Sequence, residues 1–202
     1  MTKVVWGAKA AGIIALAFAA TSCGKLTREG TSSSYLVINQ LEGAPGQTGS
    51  FGSVLESDVL NVDPQTKVAT IAADRGQVTL ALALKDPGSS TSLNTPTPNN
   101  YVTVTQYHVE YVRSDGRNVQ GVDVPYAFDG AVTATIQSTT TVGFTLVRIQ
   151  AKQEAPLQAL QGGGSAQAIS TIARVTFYGH DQTGREVSVS GNIEVDFADW
   201  AG

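Results

Sequence analysis

The sequence predicts an all-β chain folded as an antiparallel β-sandwich, and three observations carry that expectation. The 202 residues are rich in Thr, Ser, Val, Gly and Gln and poor in Lys, Glu and Met. Small polar and β-branched residues suit a pleated, half-solvated surface, whereas good helices draw on Leu, Glu and Lys. Apolar and polar residues alternate over several stretches, which is the period of a strand with one buried face. Clusters of Gly, Pro, Asn, Asp and Ser separate these stretches, as expected of many short strands joined by turns.

Taken in order, residues 35–41 (YLVINQL) make the first strand. Residues 51–62 follow the turn residues GAPGQTG, and 67–72 is a short run. Within 77–84, Val78, Leu80, Leu82 and Leu84 face one way and Thr79, Ala81 and Ala83 the other. Residues 86–100 (DPGSSTSLNTPTPNN) form a polar loop, because Pro87, Pro96 and Pro98 block regular pairing. Residues 101–113 are a long strand with Tyr107, Val109 and Tyr111 on one side, and Ser114-Asp115-Gly116 turns the chain. Residues 119–128 contain Pro125, which places them at a sheet edge. Residues 131–137 and 141–152 come next, and 154–161 is the one short helix, before Gly162-Gly163-Gly164-Ser165.

Residues 169–178 and 186–197 close the chain as a hairpin across DQTG. In its second strand Val187, Val189, Ile193, Val195 and Phe197 point inward. Glu186, Ser188, Ser190, Asn192, Glu194 and Asp196 point outward. Nine or ten short strands at this spacing fit an immunoglobulin-like or fibronectin-like sandwich. A closed barrel is the rival, and the long loops and proline-bearing edge favour the sandwich. A Tyr…Asp…Gly-Arg turn occurs twice, at 111–117 and 178–185, which two similar hairpins explain without a duplicated domain. The closing stretch, VTFYGHDQTGREVSVSGNIEVDFAD, resembles the last hairpin of uncharacterised exported sandwich domains, a resemblance that implies no activity.

The first 22 residues read as an export leader. Lys3 and Lys9 supply its positive end, and residues 10–20 are an uncharged, mostly apolar run too short to span a bilayer comfortably. Ala20-Thr21-Ser22-Cys23-Gly24 resembles a bacterial lipobox, with Ala20 where leucine is usual. The resemblance implies that Cys23 receives a diacylglyceryl thioether and becomes the mature N-terminus. An ordinary secretory signal or an uncleaved anchor are the other readings. Cys23 is the only cysteine, and an unpaired thiol in an exported protein is otherwise awkward. Gly24 in place of Asp, by resemblance to the enterobacterial sorting rule, implies the outer membrane. The expected organisation is therefore a signal peptide at 1–22, a lipidated cysteine with a flexible tether at 23–34, and a sandwich domain at 35–202.

Charge and chemistry narrow the function classes. The leader holds 2 of the 13 basic residues and none of the 17 acidic ones, so the remainder carries a formal charge of −6. Nucleic acid needs a basic face, so it is not expected as a partner. A Ser-His-Asp hydrolase would have to use His108 or His180, and no serine sits in a G-x-S-x-G elbow. Calcium could be held by Asp115, Asp123 and Asp129, or by Glu194, Asp196 and Asp199, yet neither set has EF-hand spacing. Such aspartates equally cap turns. The glycine runs lack the order of a phosphate loop. Tyr101, Tyr107, Tyr111, Tyr126, Phe128 and Trp200 could form a carbohydrate platform, or could be core.

The long insertions at 86–100 and 153–168 are the better leads, since long loops in compact domains are commonly functional. Leu93, Pro96 and Pro98 in the first, and Pro156, Leu157 and Leu160 in the second, are the expected partner contacts. The sequence thus points to a non-catalytic, lipid-anchored envelope protein serving as a structural or protein-interaction module, with a membrane and an envelope protein as partners and no cofactor. A carbohydrate- or calcium-dependent binding module is the alternative, and a hydrolase the third reading.

Overall fold

A computed structural model describes residues 31–46, 49–63, 65–163 and 167–200; the expected leader, Cys23 and Gly24 lie outside the described residues. The long strands are β1 (Ser34–Ala44), β5 (Asp74–Leu84), β8 (Val102–Val112), β9 (Phe128–Ile136), β10 (Thr139–Val147), β11 (Ile169–Asp181) and β12 (Glu186–Ala198). Shorter ones are β2 (Val54–Asp58), β3 (Asn61–Val62), β4 (Ala69–Thr70), β6 (Gly88–Ser89) and β7 (Ser92–Leu93). One helix, α1 (Ile149–Gln153), and two 3-10 turns, Pro98–Asn100 and Leu157–Leu160, complete the elements of the described residues.

Two sheets make the sandwich. One has the order β1-β5-β10 and the other β2-β12-β11-β8-β9. Taking β1, β5 and β10 as strands A, B and E, and β8, β11 and β12 as C, F and G, the wiring follows the immunoglobulin-like plan. β9 extends the second sheet beyond C, and β2 adds to G. That addition departs from the expected all-antiparallel pairing, because β2 runs parallel to β12. The chain leaves the first sheet after β1, runs back antiparallel at Gly52 beside Gly43, and enters the second sheet beside the last strand. Gly43 and Gly52 hold the reversal with reciprocal 2.9 Å hydrogen bonds. A Cβ on Gly43 would press into Leu55 and Leu146, so glycine lets the two sheets approach here.

Alternation sorts the core as expected. Val78 and Leu80 of β5, Leu36 of β1 and Val142, Phe144 and Leu146 of β10 face Val175 and Phe177 of β11 and Ile193, Val195 and Phe197 of β12. Burying each such side chain contributes roughly 1.5–3 kcal/mol. Tyr107 packs edge-on against Phe128 and Phe144, with centroids at 6.2 and 5.2 Å, and Tyr111 against Phe197 at 5.5 Å. Their hydroxyls are partnered: Tyr111 donates to the Leu146 carbonyl at 2.6 Å, and Tyr107 accepts from the Thr145 N–H at 3.2 Å.

Four expectations about elements are corrected. Residues 119–127 are not an edge strand. The Gly121 and Val124 backbones bond at 2.8 Å, and Asp123 accepts from the Val119 N–H at 3.1 Å. Pro125 then lacks a donor to continue, and β9 supplies the edge instead. The strand expected at 141–152 ends at Val147, because Ile149-Gln150-Ala151-Lys152-Gln153 favours a helical turn. The helix expected at 154–161 is displaced to that turn, since Pro156 disfavours helix at the preceding residue, and only the 3-10 turn Leu157–Leu160 follows. The run 51–62 is two short strands rather than one.

Candidate functional site

The registers give the sandwich two distinct ends. Ser34 pairs with Leu84, and Asp181 with Val102, so the chain enters at the end holding the loop 86–100 and the β11–β12 turn. Entry is clamped: Ser32 and Ser34 are buried, Ser34 donates to the Asn100 carbonyl at 2.7 Å, and Asn100 donates to Ser33 at 2.8 Å. The last residues assigned to the tether therefore belong to the fold. Asp181 closes the β11–β12 turn by accepting from the Thr183 hydroxyl and N–H and the Arg185 N–H at 2.6–3.0 Å. Burial alone would raise its carboxyl, but these donors and the Ser32 hydroxyl outweigh it and hold the group down at about 2.

At the far end, a buried ion pair joins elements from both sheets. Lys152 of α1 and Asp74 at the start of β5 are both fully buried, with the Nζ 2.9 Å from each carboxylate oxygen. Asp74 also accepts from the Ser57 hydroxyl at 2.6 Å and the Gly46 N–H at 2.8 Å, and Lys152 donates to the Asp58 carbonyl at 2.7 Å. Burial and then the Asp74 charge push the nearby Tyr111 phenol far up. Above the pair lies an open depression of about 650 Å³ lined by Pro45, Gly46, Glu56, Asp58, Asp63 and Trp200. Burial raises the Asp58 carboxyl, with Asp199 adding a smaller push, although backbone N–H groups of Leu60 and Trp200 oppose both.

The loops of this far end expose apolar side chains. Val119, Val122 and Tyr126 on the β8–β9 connection are 49–67% exposed, and Val68 and Trp200 are also exposed. Val122 and Tyr126 are held out by the tight turn about Gly121, whose φ of +76° suits glycine.

A second feature is an open cleft of about 870 Å³ on the outer face of the five-stranded sheet. A β-bulge makes it. Register shifts between Val104 and Gln106 against both neighbours of β8, so Thr105 and Gln106 are both exposed. Bulges re-aim side chains and recur beside functional sites. Asp129, Tyr178, His180, Glu186 and Ser188 line the cleft. Beside it, one transverse row holds Ser190, Thr176, His108 and Asp129. In that row Thr176 and Ser190 bond at 2.8 Å, as do His108 Nδ1 and Asp129.

The residues singled out from sequence fare unequally. Leu157 and Leu160 are buried in the hydrophobic core, and Pro156 is buried beside them, so these three serve packing and are corrected as partner contacts. The spacing that suggested an apolar docking face is the spacing of a 3-10 turn seated on the sandwich. Leu93, Pro96 and Pro98 are exposed on the entry-end loop, where β6 and β7 form a small hairpin. His108 and His180 lie on one outer face, as do the acids Asp129 and Glu186. Asp115 is taken by Arg113 and Arg117 at 2.7 and 2.8 Å, whose hydrogen bonds hold its carboxyl well below the usual range. Asp199 accepts from the Gly162 N–H at 2.6 Å. Among the described residues, no three His, Cys, Asp or Glu side chains converge to hold a metal. Tyr107, Tyr111 and Phe128 are core residues, which removes them from a carbohydrate platform; Tyr126 and Trp200 are exposed.

Ser57, Asp74 and Lys152 were not legible as a group. Asp74 and Lys152 are 78 residues apart, and nothing local distinguishes them from solvated charges. The bulge did leave a signal: inward residues switch from even numbers at Val102 and Val104 to odd at Tyr107, Val109 and Tyr111. Compared with known proteins, the chain matches no family model and no curated protein.

Proposed function

We propose that this chain is a lipid-anchored envelope protein, held to a membrane through Cys23, whose sandwich presents its far-end loops to a protein partner. The observation that carries the reading is the polarity of the sandwich. The chain enters at Ser34 and is clamped there by Asn100 and the Asp181 turn, while Val119, Val122, Tyr126, Val68 and Trp200 are exposed at the opposite end, against Tyr35 and Leu93 at the entry end. Binding residues concentrate on loops held by a rigid scaffold, and apolar side chains gathered there supply a contact surface. The outer membrane is the address that Gly24 favours. The module acts by binding rather than by catalysis.

Photo-crosslinking in cells tests this reading, with the crosslinker at Val122 or Tyr126 and, for comparison, at Leu93. The expected result is one dominant adduct from the far-end positions, weak or absent from Leu93, and lost when Cys23→Ala releases the protein from membranes. Membrane association unchanged by Cys23→Ala would overturn the anchor, and adducts only from Leu93 would overturn the orientation.

The bulge-formed cleft favours a second reading, a polar ligand held on the outer sheet face by His180, Asp129 and Glu186. A glycan array with wild type and His180→Ala separates the two: binding lost in the variant supports the cleft, and a flat array removes it.

A further inference from the structure

We propose that the Lys152 amine and the Asp74 carboxyl condense inside the folded chain to form an isopeptide bond between α1 and β5. The reacting groups are already in contact. Nζ lies 2.9 Å from both carboxylate oxygens, which places it on the plane that bisects them and contains Cγ, and both side chains are fully buried. Water that would otherwise solvate the charges or reverse the condensation has no access to them at this site.

The surroundings fit the product as well as the ion pair. The Ser57 hydroxyl and the Gly46 N–H donate to separate Asp74 oxygens at 2.6 and 2.8 Å, so whichever oxygen is retained has one donor where negative charge develops, and the other donor faces the departing hydroxyl. Lys152 also donates to the Asp58 carbonyl at 2.7 Å. An amide keeps one N–H, and this acceptor is in place to receive it. An ion pair, by contrast, leaves two charges fully buried, where the desolvation cost is several kcal/mol per ion.

The step balances without a co-reactant. One proton passes across the 2.9 Å contact from ammonium to carboxylate, which leaves a neutral amine and a carboxylic acid. The nitrogen lone pair forms a bond to Cγ of Asp74. A second proton moves from nitrogen to the departing hydroxyl, the Cγ–O bond breaks, and one water leaves. Nothing is oxidised or reduced. Fixed orientation in a buried site converts an otherwise unfavourable encounter into a unimolecular one. The product ties the start of β5 to the helix after β10.

Peptide mapping of the full chain, denatured before trypsin digestion, tests the bond directly. Cleavage points at Lys67, Arg75, Arg148 and Arg174 flank the two groups. The expected product is one branched peptide in which residues 68–75 are joined to 149–174, one water lighter than the sum of the two, with no cleavage after Lys152. Recovery of residues 68–75, 149–152 and 153–174 as separate peptides would overturn the proposal. So would an uncleaved 149–174 peptide of unmodified mass with 68–75 free. No variant is needed, so a folding defect cannot obscure the result.

Discussion

Gly130→Ala is a stringent test of how the aromatic core is packed. Gly130 of β9 pairs with Tyr107 of β8, and a Cβ at 130 would fall inside contact distance of the Tyr107 ring. That ring is hemmed in by aromatic neighbours. It is boxed by Phe128, Phe144 and Phe177 at centroid distances of 6.2, 5.2 and 6.3 Å, and its hydroxyl accepts from the Thr145 N–H. Overpacking of this kind costs about 1–3 kcal/mol. Gly→Ala returns about 0.4–1 kcal/mol by restricting the unfolded chain. The net loss is centred on ~1.3 kcal/mol, and at roughly 2–4 °C per kcal/mol for a chain of this size Tm falls by about 3–5 °C. Thermal unfolding of purified protein reads this directly. A double-mutant cycle with Tyr107→Leu should relieve the clash, leaving Gly130→Ala neutral or stabilising in that background. An unchanged or higher Tm for Gly130→Ala alone would refute the packing argument.

Other predictions probe the remaining elements. Leu157→Ala should destabilise by about 2–5 kcal/mol, as for a core leucine, while Leu93→Ser should stay within about 0.5 kcal/mol; urea unfolding measures both. Tyr111→Phe removes the donor to the Leu146 carbonyl and should cost about 1–2 kcal/mol in the same assay. Asp181 is held at about 2 in the folded state, against 3.8 when free. Its contribution of about 1–2 kcal/mol is thus present above pH 4 and lost as pH falls toward 2. Asp181→Asn should remove that part of the acid dependence, and a stability–pH curve parallel to wild type between pH 4 and pH 2 would contradict it.

What the sequence made legible follows from which interactions are local. The hairpin and the facing of every β12 residue named are legible in the sequence, because one buried face and a DQTG turn specify them, although β11 runs three residues beyond the expected 169–178, to Asp181. The same logic sorted Val78 and Leu80 inward and placed Tyr107, Val109 and Tyr111 together. It failed where tertiary contacts decide. Residues 119–127 carry strand-forming Val and Tyr, yet Asp123 and Gly121 close them into turns. Pro156, Leu157 and Leu160 looked like a docking face because apolar spacing alone cannot distinguish a surface facing a partner from one facing the chain's own core. The Lys152–Asp74 pair depends on Gly46 and Ser57 reaching Asp74 and on α1 turning inward, neither of which has a local signature. The candidate site was less legible than the fold for that reason.

Anchor and fold together constrain where a partner can be. Were Cys23 lipidated, the buried Ser32 would lie nine steps along the chain, and at ~3.3–3.6 Å per step these reach at most about 32 Å. β12 spans thirteen residues, and at ~3.3 Å each the sandwich is about 40 Å long. The far-end loops then lie no more than about 70 Å from the leaflet, and nearer when the tether is relaxed. The entry-end loop 86–100 would then sit on the membrane side, with no charge after Asp86 to attract or repel anionic lipid. A partner that meets Val122 and Tyr126 must therefore either be anchored to the same membrane and rise to that height, or lie in the layer the height reaches. An anchor-dependent adduct from Val122 is informative for this reason: a partner fixed at that height is lost when Cys23→Ala frees the surface from its tether, whereas a freely diffusing partner would be crosslinked with or without the anchor.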